Sequence, residues 1–429
     1  MKVLFITHCT KMAGANRSMY QLIIELRDVY GITPFVLLPN DNSKQRTLKD
    51  FLLESNIPYM ECTIPFYKLP NTTLADRLAY VHYFREIEAL SEKFKPIGFD
   101  LVHSNSSVID FGGYISRVLG VKHVWHLRDF GELDYGLYSI WGNLYNKATY
   151  RNGDKFIAIS KAVKKYFERS IPSKKIQVIY NGIKVIENIS LAKHKSDIVQ
   201  FLCAGVICEA KNQMEILRAV DILVNKRSVK GLHLTFVGAG GDDYLSSLMF
   251  FAKKKGISDF VSFLSEVDGI ANLASTMDVG IMSSHCEAFG RTTVEYMFQN
   301  LAVIANDSGA NTEIITNGKT GLIYLHDSAD SLADKMQLLI ENRELLDNLS
   351  RNGREDAIRR FQSKDNTRLI FELYQNALRE PRTFQWNIFL NPKWIMSVKH
   401  YKDVLRQRLK GIHWKDIPLS KIKYCTEWT

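Results

Sequence analysis

The chain has 429 residues, enough for two or three domains. Its apolar fraction of 46% and charged fraction of 24% support packed cores and exclude global disorder, and no apolar run reaches the roughly 18 residues that cross a bilayer. Net charge is +10, the six cysteines contain no Cys-x-x-Cys pair, and the opening run lacks a signal-peptide apolar region, so neither a zinc site nor a disulfide framework is indicated and a reducing cytoplasm is expected.

Short apolar strands alternate with helices from the start. "KVLFIT" precedes the helical "NRSMYQLIIELRDVYG", and "TPFVLLP" precedes "SKQRTLKDFLLESN". "FDLVHSN", "HVWHLR", "KFIAIS" and "IQVIYNG" read as further strands. A polar interval, "VIENISLAKHKSD", interrupts the pattern. It then restarts with "VQFLCAG", a helix "NQMEILRAVDILVNK", "LHLTFVGAG", a helix "DDYLSSLMFFAKKKG", "VSFLS", "VGIMSS", "AVIAND" and "GLIY". A helical stretch over 328–380 closes the second half. Buried strands separated by helices predict parallel sheets covered on both faces. The expectation is an α/β protein of two doubly wound, Rossmann-like domains, 1–185 and 199–380, joined by a linker 186–198, with an extension 381–429. Ligands of such sheets bind beyond the carboxyl ends of the strands, and in a two-domain arrangement those ends can face each other across a cleft.

The candidate chemical groups fall where such a site belongs. "THCTKMAGANRSM" follows the first strand, and Gly14 permits close backbone approach at a helix start that offers N–H groups to an anion. "CAGVICEAKNQ" places Gly205 at a turn and Lys211 before a helix, where an ammonium can neutralise a phosphate. "VGAGGDD" has glycines but no Gly-x-Gly-x-x-Gly fingerprint. "HVWHLRDFGE" offers His126, Arg128 and Asp129 at a strand end, and a histidine can hydrogen-bond a hydroxyl or move a proton. "HCEAFGRTTVEYM" sets Glu287 and Glu295 with seven residues between them, among which are Phe289, Gly290 and Arg291. A structural alternative stands beside each group. Gly14 can be an ordinary turn, Lys211 a solvated lysine and His126 a core histidine. Thr292 and Glu295 also match the Ser/Thr-x-x-Glu capping box, which would tie off backbone N–H groups at a helix start. There is no Asp-x-Asp, no Walker A loop and no Gly-x-Ser-x-Gly elbow.

In this order, "AGANRS", "FIAIS", "VIYNGI", "CAGVICEAKNQ", "FVGAG", the Glu287 to Glu295 motif and "NDSGANTEII" resemble glycosyltransferase family 4. The resemblance covers residues 1–380 and implies retaining, nucleotide-sugar-dependent enzymes of the GT-B fold that use no metal and no cofactor. It implies that Glu287 accepts hydrogen bonds from the donor sugar and Glu295 from the ribose, that Lys211 stabilises the leaving diphosphate, and that the backbone at Phe289, Gly290 and Arg291 meets that diphosphate. It places His126 at the donor sugar or the acceptor side, and Gly14 and Gly205 at the donor. One departure matters. Many members carry arginine after the first-strand glycine, and this chain has Val206, so a cation is missing where charge builds up; Arg291 or another basic residue could compensate.

The segment 381–429 lies outside the resemblance. It holds ten Lys+Arg against three Asp+Glu, and four of the six tryptophans. With the basic stretch 160–175 it suggests contact with an anionic membrane surface and a glycan or lipid-linked acceptor. Packing against the body is the alternative. Nothing resembles a nucleic-acid-binding module. The expected function is sugar transfer from a UDP- or GDP-sugar in polysaccharide or glycolipid synthesis, in the cytoplasm or at the cytoplasmic face of the membrane. A non-catalytic binding subunit and a sugar-nucleotide epimerase of similar fold are the alternatives.

Overall fold

The computed structural model describes residues 1–43, 45–151, 153–184, 196–265 and 273–381. Its described residues form two compact units: Met1–Ile179 with those from Thr367 to Pro381, and Tyr180–Asn366.

Unit 1 is built on strands β1 (Lys2–Ile6), β2 (Thr33–Pro39), β3 (Tyr59–Cys62), β4 (Leu101–Ser104), β5 (Lys122–Leu127), β6 (Lys155–Ala158) and β7 (Ile176–Val178). They form one sheet in the order β3-β2-β1-β4-β5-β6-β7, with every neighbouring pair parallel. Its strands are apolar runs because both faces are covered. Along β1, Val3 and Phe5 join a core with Leu22, Ile23 and Leu26 of the helix Gly14–Tyr30, while Leu4 and Ile6 join another with Phe94 and Phe111.

Unit 2 repeats the plan with β8 (Val199–Ala204), β9 (Leu232–Val237), β10 (Val261–Leu264), β11 (Val279–Met282), β12 (Ala302–Asn306) and β13 (Leu322–Tyr324). The order is β10-β9-β8-β11-β12-β13, again all parallel. In both sheets the chain reverses direction of growth beside the first strand, so loops diverge there and leave room for a ligand.

The division of the chain differs from the expected one at both ends of the second domain. Unit 2 begins at Tyr180 and not after a linker, and Ile183 forms a bridge with Gln362. The helices Ala329–Glu341 and Arg343–Phe361 belong to unit 2, but the helix Ser363–Arg379 passes to unit 1 at Thr367. Ile370, Leu373 and Tyr374 are buried in the same core as Val3 and Phe5. An amphipathic helix advertises an apolar face without naming the sheet that receives it, which is why 199–380 read as one domain. Most of the expected linker, residues 185–195, and the extension from residue 382 lie outside the described residues. Among the described residues no helix is long and apolar enough to cross a membrane.

Candidate active site

Of the nine residues given roles by the resemblance, seven lie in unit 2, on the loops that leave the carboxyl ends of β8 and β11 or on the helix that follows β11. Lys211 ends a single 3-10 turn, Glu209–Lys211, after β8. Asn212 then takes a left-handed conformation, φ 50°, and the helix Gln213–Asp221 begins. Two contacts tie this turn to the exit of β11. Ser283 Oγ donates to the carbonyl of Lys211 at 2.7 Å, and the amide of His285 donates to the carbonyl of Ala210 at 3.1 Å. The same loop carries Glu287, so Lys211 and Glu287 meet: Nζ donates to Oε1 at 2.5 Å. Burial works against the Lys211 charge, but the Glu287 carboxylate outweighs it and holds the ammonium above its ordinary pKa. The Lys211 side chain keeps 36% of its surface exposed and Glu287 12%, so the pair is reachable from solvent.

The loop after β12 fixes the backbone of Glu287. Gly309 has φ 57°, and a Cβ there would lie 2.2 Å from the Glu287 carbonyl oxygen, so only glycine fits. The next residue, Ala310, donates its amide to that carbonyl at 2.8 Å. Asn306 is fully buried at the end of β12 and donates to the carbonyls of Ser283 and Ser284 at 3.2 and 2.8 Å, while its Oδ1 accepts from Asn311 at 2.9 Å. "NDSGANTEII" was legible as a motif, but the roles of Asn306 and Gly309 were not, because both depend on partners more than twenty residues away.

Glu295 lies in the helix Arg291–Phe298. The expected capping box does not form. The helix starts at Arg291 behind Gly290, φ 83°, with no side-chain cap, so Thr292 sits inside the first turn and Glu295 one turn further. Glu295 instead accepts from Nε of Arg291 at 2.8 Å. No side chain therefore caps this helix start. The Phe289 ring itself is 3% exposed and packs against Tyr180 and Phe361, so it anchors the loop and leaves only its backbone free to serve a ligand. Tyr296, fully buried, locks the helix to the sheet: its hydroxyl accepts from the amide of Ala204, at the end of β8, at 2.6 Å.

Gly205 follows directly. Its carbonyl oxygen is so close to Gly238 that a Cβ on Gly238 would come within 2.0 Å of it. Backbone contact therefore requires glycine at 238, whereas a Cβ on Gly205 would meet open space and it is the φ of 145° that favours glycine there. Val206 is 43% exposed, at the place of the arginine that many family 4 members carry.

Gly14 and His126 lie in unit 1. Gly14 is the exposed first residue of the helix Gly14–Tyr30. Fully buried Asn16 holds the preceding loop, donating to the carbonyls of Cys9 and Lys11 at 2.8 and 2.9 Å. His126 is near the end of β5, 1% exposed, with Nδ1 3.3 Å from His103 Nε2; His103 Nδ1 in turn lies 2.6 Å from the Tyr374 hydroxyl. Burial, then Arg128, then the neighbouring imidazole hold His126 well below the ordinary histidine range, so it is neutral. Its Nε2 has no hydrogen-bond partner among the described residues. Arg128 Nε donates to Asn105, whose amide reaches the carbonyl of Ala15 at 3.4 Å, so β5 and the Gly14 helix start are linked. Asp129 accepts from Ser106 at 3.0 Å and from Ser107. Ser160, the last residue of "FIAIS", caps the helix Lys161–Phe167 by accepting from the Val163 amide at 3.0 Å.

Residues 12–186 match the family model for glycosyltransferase family 4, and residues 186–356 match that for glycosyl transferases group 1. An uncharacterised glycosyltransferase of Methanocaldococcus jannaschii is 28% identical over 355 residues, covering 80% of this chain and 89% of that protein. N-acetyl-α-D-glucosaminyl L-malate synthase of Bacillus anthracis is 25% identical over 219 residues, 49% of this chain and 56% of that protein. Among solved structures, that of Anabaena HepE in complex with UDP is similar with a TM-score of 0.72 at 20% identity, over 88% of this chain and 100% of that chain. Two parallel α/β units, an unbroken pair of family matches over residues 12–356 and full-length relatives of the same kind lead to one conclusion: the chain belongs to the family 4 glycosyltransferases and has the GT-B fold.

Proposed function

We propose that the chain transfers a hexose from a nucleotide-sugar donor, UDP- or GDP-linked, to a glycan or lipid-linked acceptor with retention of configuration. The observation that carries this reading is the Lys211–Glu287 pair beside the uncapped start of the helix Arg291–Phe298. The helix start and Lys211 suit the diphosphate, whose negative charge grows as the glycosidic bond breaks. Preorganised positive groups lower the energy of that state more than of the bound donor. Glu295 suits the vicinal ribose hydroxyls and Glu287 the sugar hydroxyls, because an ionised carboxylate accepts two hydrogen bonds at once. In the resting pair Glu287 neutralises Lys211. When donor enters, phosphate takes over part of that ammonium and Glu287 turns to the sugar. The acceptor hydroxyl then attacks on the face that the diphosphate leaves, and a phosphate oxygen receives its proton, so neither an enzymic nucleophile nor a metal ion takes part.

HepE was solved with UDP, and this similarity supports a uridine donor over a guanosine one. Similarity to the Bacillus anthracis relative and to a mannosyltransferase of lipopolysaccharide core biosynthesis from Rhizobium meliloti supports small-molecule and lipid-linked acceptors respectively, and a reading in which the reaction serves glycolipid or polysaccharide assembly at the cytoplasmic face of a membrane. Exposed Val206 favours one competing reading, a sugar-nucleotide-binding subunit without turnover. The experiment that separates them follows the anomeric proton by NMR while purified protein, chelator and membrane extract are incubated with α-linked UDP- and GDP-sugars. An α-configured product formed in the presence of chelator fits the proposal. A β-configured product contradicts the mechanism. Binding of a nucleotide with no product from any donor favours the subunit.

A further inference from the structure

A second cluster of chemistry-bearing side chains in unit 2 takes no part in the site described above. His285 leaves β11 two residues before Glu287, and His326 and Asp327 follow β13. The Asp327 carboxylate lies between the two imidazoles and meets each with a different oxygen: Oδ1 is 3.5 Å from His285 Nδ1, and Oδ2 is 3.3 Å from His326 Nε2. The rings stand at 89° to each other with centroids 5.5 Å apart. One ligand atom from each of the three residues falls within 4.8 Å of the others. Two donor atoms held about 2.0–2.1 Å from a tetrahedral zinc ion are roughly 3.3 Å apart. Each His–Asp separation is close to that edge, to a different carboxylate oxygen, and rotation of exposed Asp327 and His285 can bring one oxygen to both imidazoles.

An independent feature asks for positive charge at the same place. Glu215 is 3% exposed, and its carboxylate interacts electrostatically with Asp327, His326 and His285. Its Oε2 accepts from the Tyr324 hydroxyl at 2.8 Å and from Asn212 at 3.2 Å. Its Oε1, although buried, has no partner among the described residues. A buried carboxylate oxygen left without a donor is costly, and a nearby cation offsets that cost.

We infer that His285, His326 and Asp327 bind a divalent transition-metal ion of the zinc class, with water in the open fourth position. Two imidazoles and one carboxylate select zinc, cobalt or nickel over magnesium and calcium, which prefer oxygen ligands. The ion would join the loop after β11, which carries Glu287 and holds Ala210 through the His285 amide, to the loop after β13. It would touch no reacting atom. Its effect is to stiffen the frame around the Lys211–Glu287 pair.

The test is titration of untagged, full-length, chelator-stripped protein with zinc by calorimetry, and with cobalt by visible absorption. Neither readout depends on sugar transfer. The wild type takes up one tetrahedrally coordinated ion with intense cobalt ligand-field bands, and magnesium and calcium give no heat. His285→Ala and His326→Ala each weaken zinc binding at least about tenfold, since even loss of an outer-shell partner costs that much. His82→Ala, a change at an exposed histidine of unit 1, leaves it unaltered. Binding that persists unweakened in the His285→Ala/His326→Ala double variant, or a wild type that takes up no zinc, overturns the inference.

Discussion

The two units carry polar groups at equivalent strand ends but use them differently. In unit 2, charges stand in pairs that remain partly open to solvent, Lys211 with Glu287 and Arg291 with Glu295. In unit 1, His126, His103 and Tyr374 form a buried chain, while half-buried Asp129 accepts from Ser106 and Ser107. An open ion pair can exchange its partner for a ligand at little cost, because each charge keeps water or phosphate as an alternative. A buried neutral chain cannot do this without a donor or acceptor going unmet. Unit 2 therefore carries the partly exposed ion pairs on which the proposed donor site rests.

The sharpest way to break that contrast is Lys211→Ala. It removes the positive group from the diphosphate position and leaves Glu287 unpaired. The expected loss in kcat is about 10²–10³-fold, as for removal of one transition-state donor, with melting temperature little changed. An unchanged kcat would mean that the pair is structural. Glu295→Ala comes next. Loss of a hydrogen bond to a charged group, about 1.5–3 kcal/mol, should weaken nucleotide affinity roughly 10–100-fold, read by calorimetry, with a smaller effect on kcat once donor is saturating.

Val206→Arg tests the departure from the family pattern. The side chain is exposed, so arginine is accommodated without repacking, and a second cation should raise kcat/KM about tenfold or less. No gain would mean that Arg291 already fills that role. The smallest effect concerns unit 1. Burial holds His103 and His126 well below the ordinary histidine pKa. Their contribution to stability is full above the unfolded value of about 6.5 and is lost as pH falls, because the unfolded chain then binds protons that the folded chain does not. The unfolding free energy from urea melts should fall between pH 7.5 and 5.5, by up to about 1.4 kcal/mol per pH unit for each histidine, and His126→Gln should flatten that slope.

The same contrast explains what the sequence made legible. Strands, their parallel pairing and the two-domain plan follow from apolar runs separated by helices, and both sheets have that form. The unit 2 groups stood out because Glu287, Glu295 and Lys211 sit in short motifs whose spacing is local. Long-range closure was not legible. Gly309 is required by the Glu287 carbonyl, and Asn306 by two serine carbonyls on the loop after β11. The capping box failed through one local detail: the helix begins behind left-handed Gly290, which moves Glu295 a turn away from the helix start and gives it Arg291 as partner. The passage of the last helix from unit 2 to unit 1 at Thr367 is invisible in its amphipathic pattern, since Ile370, Leu373 and Tyr374 would suit either sheet.

The account rests on donor capture by unit 2, and the most direct measurement is calorimetric binding of UDP and GDP to the full-length wild type, Lys211→Ala and Glu295→Ala proteins without metal. The prediction is that one nucleotide binds the wild type and that both variants bind it at least about tenfold more weakly. Equal affinity in all three proteins would contradict the assignment of Lys211 and Glu295 to the donor.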